Sequence, residues 1–138
     1  MHRPKQQQST PLGLSTDKVL FEAQTDTTHS NGITIGGGYL CISSTYENRI
    51  AKLDPATGVT ITAYNSPESG IISFLEDTEN SQSTGDHGLE WREGTLYVAS
   101  PPSQIIHVIN PNNWHEEYAF RVPGPRVHEL AWAPDGRL

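Results

Sequence analysis

The chain has 138 residues, a formal net charge of −7 and 34% apolar residues. An acidic chain without a Lys/Arg cluster has no basic footprint for phosphates, which excludes nucleic acid as a partner, and no stretch is long and apolar enough to span a membrane as a helix. The one cysteine, Cys41, has nothing to pair with and sits in Tyr39-Leu40-Cys41-Ile42, where a buried, inert thiol is expected.

The chain opens on Met1-His2-Arg3-Pro4-Lys5-Gln6-Gln7-Gln8, polar and without the apolar stretch of a signal peptide. Residues 1–16 are expected to be a flexible tail, and with Met1 as the true start the expected compartment is the cytoplasm. Lys18–Gln24 reads as a lone strand. Short strands then follow at Gly32–Ile35, Tyr39–Ser44, Arg49–Asp54 and Val59–Tyr64, with Gly36-Gly37-Gly38 and Asp54-Pro55-Ala56-Thr57-Gly58 as turns. Glu68–Asp86 is a polar insertion carrying Ile71-Ile72 and Phe74-Leu75. A second set of strands runs Gly88–Trp91, Thr95–Ser100, Ile105–Asn110 and His115–Val122. No window sustains a helical period of 3.6 residues.

The two sets are copies. Asn31 placed over His87 and read without gaps to Pro67 over Pro123 gives eight identities in 37 pairs, among them Gly32/Gly88, Gly38/Gly94, Leu40/Leu96, Ile50/Ile106 and Pro55/Pro111. Average composition gives roughly two by chance. His128-Glu129-Leu130-Ala131-Trp132 then repeats His87-Gly88-Leu89-Glu90-Trp91 at an offset of 41, and Leu138 falls inside the second strand of that third copy. A period of about 40 residues with four short strands is that of one β-propeller blade. The fold class is therefore all-β: a propeller fragment of about two four-stranded blades plus the first strand of a third. Its limits are blade 31–67, inserted loop 68–86, blade 87–127 and the start of a blade at 128–138. Remaining blades are expected to close the ring, because a single blade cannot bury both faces of its sheet. Lys18–Gln24 is then either an ordinary edge strand or the latch that completes the last blade, and the insertion is either a flap over one mouth of the channel or a variable surface loop.

In a propeller the first strand of each blade lines the central channel. Asn31, His87 and His128 hold the same place in successive copies, at the mouth of that channel. Imidazole and amide suit a divalent cation or general acid–base work; the alternative is that these side chains tie blade to blade. His87 and His128 are the candidate catalytic groups. Asn31 and Glu129, a carboxylate where the other copies have glycine, are the candidate metal ligands, and the cation would be one such as Mg²⁺ or Ca²⁺. Glu90 is read as a solvated channel residue. Trp91, Trp132 and Trp114 read as core or blade-interface packing, with ligand binding the alternative for Trp114, which lies in a turn.

Asn31-Gly32-Ile33, His87-Gly88-Leu89-Glu90-Trp91, Gly94-Thr95-Leu96-Tyr97-Val98-Ala99 and Asn48-Arg49-Ile50-Ala51-Lys52-Leu53-Asp54-Pro55-Ala56-Thr57-Gly58 together resemble streptogramin (virginiamycin B) lyase-like propellers. They are also similar to the NHL-repeat and regucalcin/gluconolactonase-like groups. The resemblance covers residues 29–138. It implies a divalent-metal-dependent lyase or hydrolase acting on a small cyclic ester or lactone, with the fragment alone inactive, or a non-catalytic propeller that takes a small-molecule ligand in its channel or a protein on its top face. Gly-Leu-Glu followed by Thr-Leu-Tyr is also similar to glutaminyl-cyclase-like propellers; those carry a glutamate on the second strand, where this chain has Val98-Ala99 and Ile42-Ser43.

Overall fold

A computed structural model describes residues 19, 21–27, 29–67, 85–124 and 126–138. The expected tail at 1–16 and most of the insertion, 68–84, lie outside the described residues. Eight strands form two four-stranded antiparallel sheets, each a meander in sequence order. The first holds β1 (Ser30–Gly36), β2 (Tyr39–Ser44), β3 (Arg49–Leu53) and β4 (Thr60–Asn65); the second holds β5 (Leu89–Arg92), β6 (Thr95–Ser100), β7 (Ile105–Asn110) and β8 (His115–Arg121). Three strands, β2, β6 and β7, have the limits that the sequence predicts. The described part of Lys18–Gln24 forms no ladder. Side chains tie the residues after it to the first blade instead: Thr60 Oγ1 donates to Asp26 Oδ1 at 2.8 Å, and Arg49 donates to the Asp26 carbonyl at 2.8 Å.

The repeat extends to the backbone. Gly37 and Gly38 have φ of 58° and 84°, and Glu93 and Gly94 have 50° and 80°. Two-residue hairpins need left-handed residues at both central positions to match the strand twist. Asn48/Gln104 and Gly58/Trp114 are further left-handed pairs at the same offset. Both Asx-Pro turns form as expected: Ala56 N–H donates to Asp54 Oδ1 at 2.8 Å and Asn112 N–H to Asn110 Oδ1 at 3.0 Å. Each third–fourth strand pairing carries a register shift at the same place, Lys52/Leu53 and Val108/Ile109.

The sheets pack face to face. Cys41 and Ile50 of the first blade meet Leu89, Leu96, Val98 and Ile109 of the second, with Trp91 and Trp114 packed against the cluster. What a face buries depends on its neighbour. Leu89 is 4% exposed, whereas Ile33, its equivalent in the first blade, is 62% exposed and Ile35, the equivalent of Trp91, is 65% exposed. Burying a side chain of that size is worth about 1.5–3 kcal/mol, so the outer face of the first blade holds stabilisation that only another blade-like surface releases.

Two glycines set the distance between blades. A Cβ at Gly32 would overlap the His87 carbonyl oxygen, and a Cβ at Gly88 would overlap that of His128. Ser43 Oγ fastens the first joint by accepting from Gly32 N–H at 2.7 Å and donating to the His87 carbonyl at 2.7 Å. The third copy uses the same seat. Residues 128–131 pair in no ladder among the described residues, yet Trp132 lies under the Arg92 guanidinium at 4.3 Å and edge-on to Tyr97 at 5.0 Å. Arg92 also donates to the Gly136 carbonyl at 3.0 Å.

Trp114 is a blade-interface residue, the first of its two expected roles, and not an open ligand platform. Its ring stacks on Tyr64 at 4.1 Å and its Nε1–H donates to the Asn65 carbonyl at 3.1 Å, so it clasps the outer strand of the first blade to the second.

Gly32→Ala and Gly88→Ala should each destabilise the blade pair by about 2–3 kcal/mol, the cost of overpacking a seat with backbone on its far side; thermal or urea unfolding measures it, and unchanged midpoints would refute the joint. Cys41 is 3% exposed, and burial pushes its thiol above the usual range although Lys52 acts in the opposite direction. Mildly alkaline solution therefore leaves it protonated, and a disulfide reagent should label it only as fast as the fold opens.

Candidate functional site

At the channel end of the blades the two mouth histidines meet directly. His87 precedes β5, and its backbone extends the ladder: its N–H donates to the Ala99 carbonyl at 3.0 Å, and Ala99 N–H donates to the Gly88 carbonyl at 2.9 Å. With that backbone fixed and the His128 carbonyl seated on Gly88, the side chains of the two equivalent histidines converge. Their Nδ1 atoms are 3.1 Å apart, with ring centroids at 4.6 Å and planes at 87°.

A hydrogen bond between two Nδ1 atoms requires different tautomers. One ring carries its proton on Nδ1 and donates; the other accepts there and carries its proton on Nε2. The pair thus offers a lone pair on one Nε2 and a proton on the other, joined through the Nδ1–Nδ1 bond. His87 Nε2 is buried, whereas His128 is exposed. The ring that meets solvent is His128.

Asn31 is part of β1, and its Nδ2 donates to Thr45 Oγ1 at 2.6 Å, binding the channel strand to the turn after β2. Glu129 borders a cavity of about 340 Å³ against the open face of the second blade, with Ile106, Phe120, Val122 and Leu130 among its walls. Glu90 is half-buried: it accepts from Thr34 Oγ1 at 3.5 Å and from Trp91 N–H at 3.2 Å, a contact with the neighbouring blade that its reading as a solvated residue does not anticipate. Of the four expected site residues the structure joins two, His87 and His128.

Sequence reasoning passed over Asp86 and Ser43. Asp86 is fully buried directly before His87. A carboxylate with no exposure is costly unless it is partnered, but in sequence it is one acid at the end of a polar insertion. Ser43, 0% exposed, makes the blade joint; its place is Ala99 in the second copy, so the repeat gives no sign of it.

A divalent cation at the pair would find two imidazoles, while the Asn31 amide is engaged with Thr45. Among the described residues no three His, Cys, Asp or Glu side chains lie together as a metal site. Mg²⁺ and Ca²⁺ take six or more ligands, mostly oxygen, and this donor set does not fit them.

No family model and no curated protein matches the sequence. Solved structures do. The chain is similar to the hydrazine synthase of Kuenenia stuttgartiensis, with a TM-score of 0.58 and 17% identity over 88% of this chain and 31% of that one. It is similar to the glutaminyl cyclase of Myxococcus xanthus, with a TM-score of 0.58 and 16% identity over 84% of this chain and 52% of that one. AztD from Citrobacter koseri matches with a TM-score of 0.50 and 10% identity over 75% of this chain and 26% of that one. These are β-propeller-type proteins, and at such identities the likeness shows the fold: the chain is an all-β propeller fragment spanning about half or less of each.

Selective ¹⁵N-histidine NMR should show His87 and His128 as opposite neutral tautomers, and His128→Phe should move the His87 ring nitrogens. Two identical tautomers would rule the pairing out.

Proposed function

We propose that this chain supplies two blades and part of a third to a propeller whose channel mouth binds a small cyclic ester or lactone, and that His128 moves the proton as that ring is opened. The observation that supports this is the 3.1 Å contact between His87 Nδ1 and His128 Nδ1. His87, held by its backbone ladder and largely enclosed, fixes the tautomer of His128; His128, exposed, meets the ligand. With a lone pair on Nε2, His128 takes a proton from water as the oxygen adds to the ester carbonyl carbon. The ring C–O bond then breaks, and the same proton passes from Nε2 to the leaving oxygen, so the product is the hydroxy acid. A lyase would use the same lone pair to remove a proton from carbon instead.

The substrate class follows from the resemblance to lyase-like and lactonase-like propellers, and the activity is that of the closed ring rather than of two blades. The glutaminyl cyclase likeness is one of fold; Ile42, Ser43, Val98 and Ala99 occupy the second strands where that group carries a glutamate. A non-catalytic reading, ligand binding alone at the same mouth, is favoured by the Asn31–Thr45 bond, which gives the third mouth residue a structural partner.

With further blades closing the ring, a panel of γ- and δ-lactones should be turned over. His128→Ala should lower kcat by a factor of about 10²–10⁴, the usual worth of a positioned acid–base group. His87→Phe should shift the pH profile of kcat while leaving KM within a few-fold. Ligand binding without turnover in the parent protein would support the non-catalytic reading, and turnover unaffected by His128→Ala would end the catalytic one.

A further inference from the structure

At the opposite end of the blades from the histidines, three turns surround a second cleft between the blades. Its volume is about 180 Å³, and its walls are Gly37, Tyr39, Lys52, Trp91, Gly94, Pro111 and Asn112. The Lys52 ammonium stands 3.8 Å over the Tyr39 ring centroid. Trp91 lies across Gly36, where a Cβ would overlap the indole, and its Cζ2 and Cη2 atoms come within 3.0 Å of where a Cβ on Gly37 would be. Among the described residues Lys52 has no carboxylate within ion-pair distance. The cleft therefore holds two aromatic walls and a placed, uncompensated cation in a chain of net charge −7.

The next joint brings a cation and aromatic rings together from other positions, Arg92 with Trp132 and Tyr97. Gly36 and Trp91 recur in role as Arg92 and Trp132 at the next joint, but Tyr39 and Lys52 are replaced there by Thr95 and Val108. Packing in the second blade does without either residue. What differs in the first blade is that its cation, Lys52, lies over Tyr39 rather than over the tryptophan.

We propose that this cleft binds a small planar carboxylate, its ring against Trp91 and Tyr39 and its carboxylate on the Lys52 ammonium. Size agrees: an apolar cavity of about 150 Å³ takes benzene, so 180 Å³ with an open mouth takes a benzoate-sized anion whose charged end reaches outward. An ammonium beside aromatic faces favours a carboxylate over a neutral ring of the same shape, because charge-assisted hydrogen bonds strengthen where water is partly excluded. Nothing in this site depends on the histidine mouth or on the chemistry proposed there.

The test is a titration of the full chain with benzoate, and with benzyl alcohol as the neutral probe, followed through the Trp91 indole N–H by NMR. Saturable shifts of Trp91 with a Kd on the order of 1 mM or tighter are expected for benzoate, as befits a ligand of so few atoms. Benzyl alcohol should bind at least tenfold more weakly. Lys52→Met, which keeps an unbranched side chain and removes its charge, should cost benzoate tenfold or more while leaving the unfolding midpoint near that of the parent; Lys52→Arg should retain binding within a few-fold. Equal affinity for the two probes, benzoate binding unchanged in Lys52→Met, or no saturation by 20 mM in the folded chain would each overturn the proposal.

Discussion

A peptide carbonyl resting on a glycine is the contact from which the rest of this molecule follows. The His87 carbonyl occupies the space that a Cβ on Gly32 would need, and the His128 carbonyl does the same at Gly88. Neighbouring inner strands can therefore approach backbone to backbone, closer than any side chain would allow. That approach brings Leu89 and Trp91 onto Cys41 and Ile50 and closes the core between the sheets. It also places residues 87 and 128 so that their imidazoles meet. Core and candidate site are consequences of one spacing.

The joint explains the division of labour among the tryptophans. Trp91 and Trp132 sit near the channel, each against the preceding blade, one over Gly36 and the other under Arg92. Trp114 works at the rim, where its left-handed backbone, φ 59°, turns the ring onto Tyr64. Blades are thus held at inner and outer radii by different chemistry: carbonyl and serine within, aromatic stacking without. Hydrophobic area between them supplies stability that neither clasp could supply alone.

Fold was legible in the sequence because it is written twice. Alternating strands, the Asx-Pro turns and the left-handed hairpin positions all recur at one offset, so each copy checks the other. The site was legible only as far as symmetry reaches. Asn31, His87 and His128 could be singled out as equivalent positions, yet the structure treats them unequally: Asn31 turns to Thr45, and the histidines turn to each other. Glu129 stands out in the sequence by departing from the repeat glycine, and in the structure it borders the cavity at the open face of the second blade. Ser43 escaped because it bonds to a different blade, and a periodic sequence shows what copies have in common rather than what one copy does to the next.

The carbonyl-on-glycine joint also has a direction. Each blade offers a glycine seat to the blade after it and sets its own carbonyl on the blade before. During synthesis the seat on Gly32 is complete before His87 leaves the ribosome, and the seat on Gly88 before His128. Such a chain can dock blade upon blade in the order of translation, each addition needing only its predecessor. A ring adds one step of another kind, the docking of a further blade on the exposed Ile33 and Ile35 face.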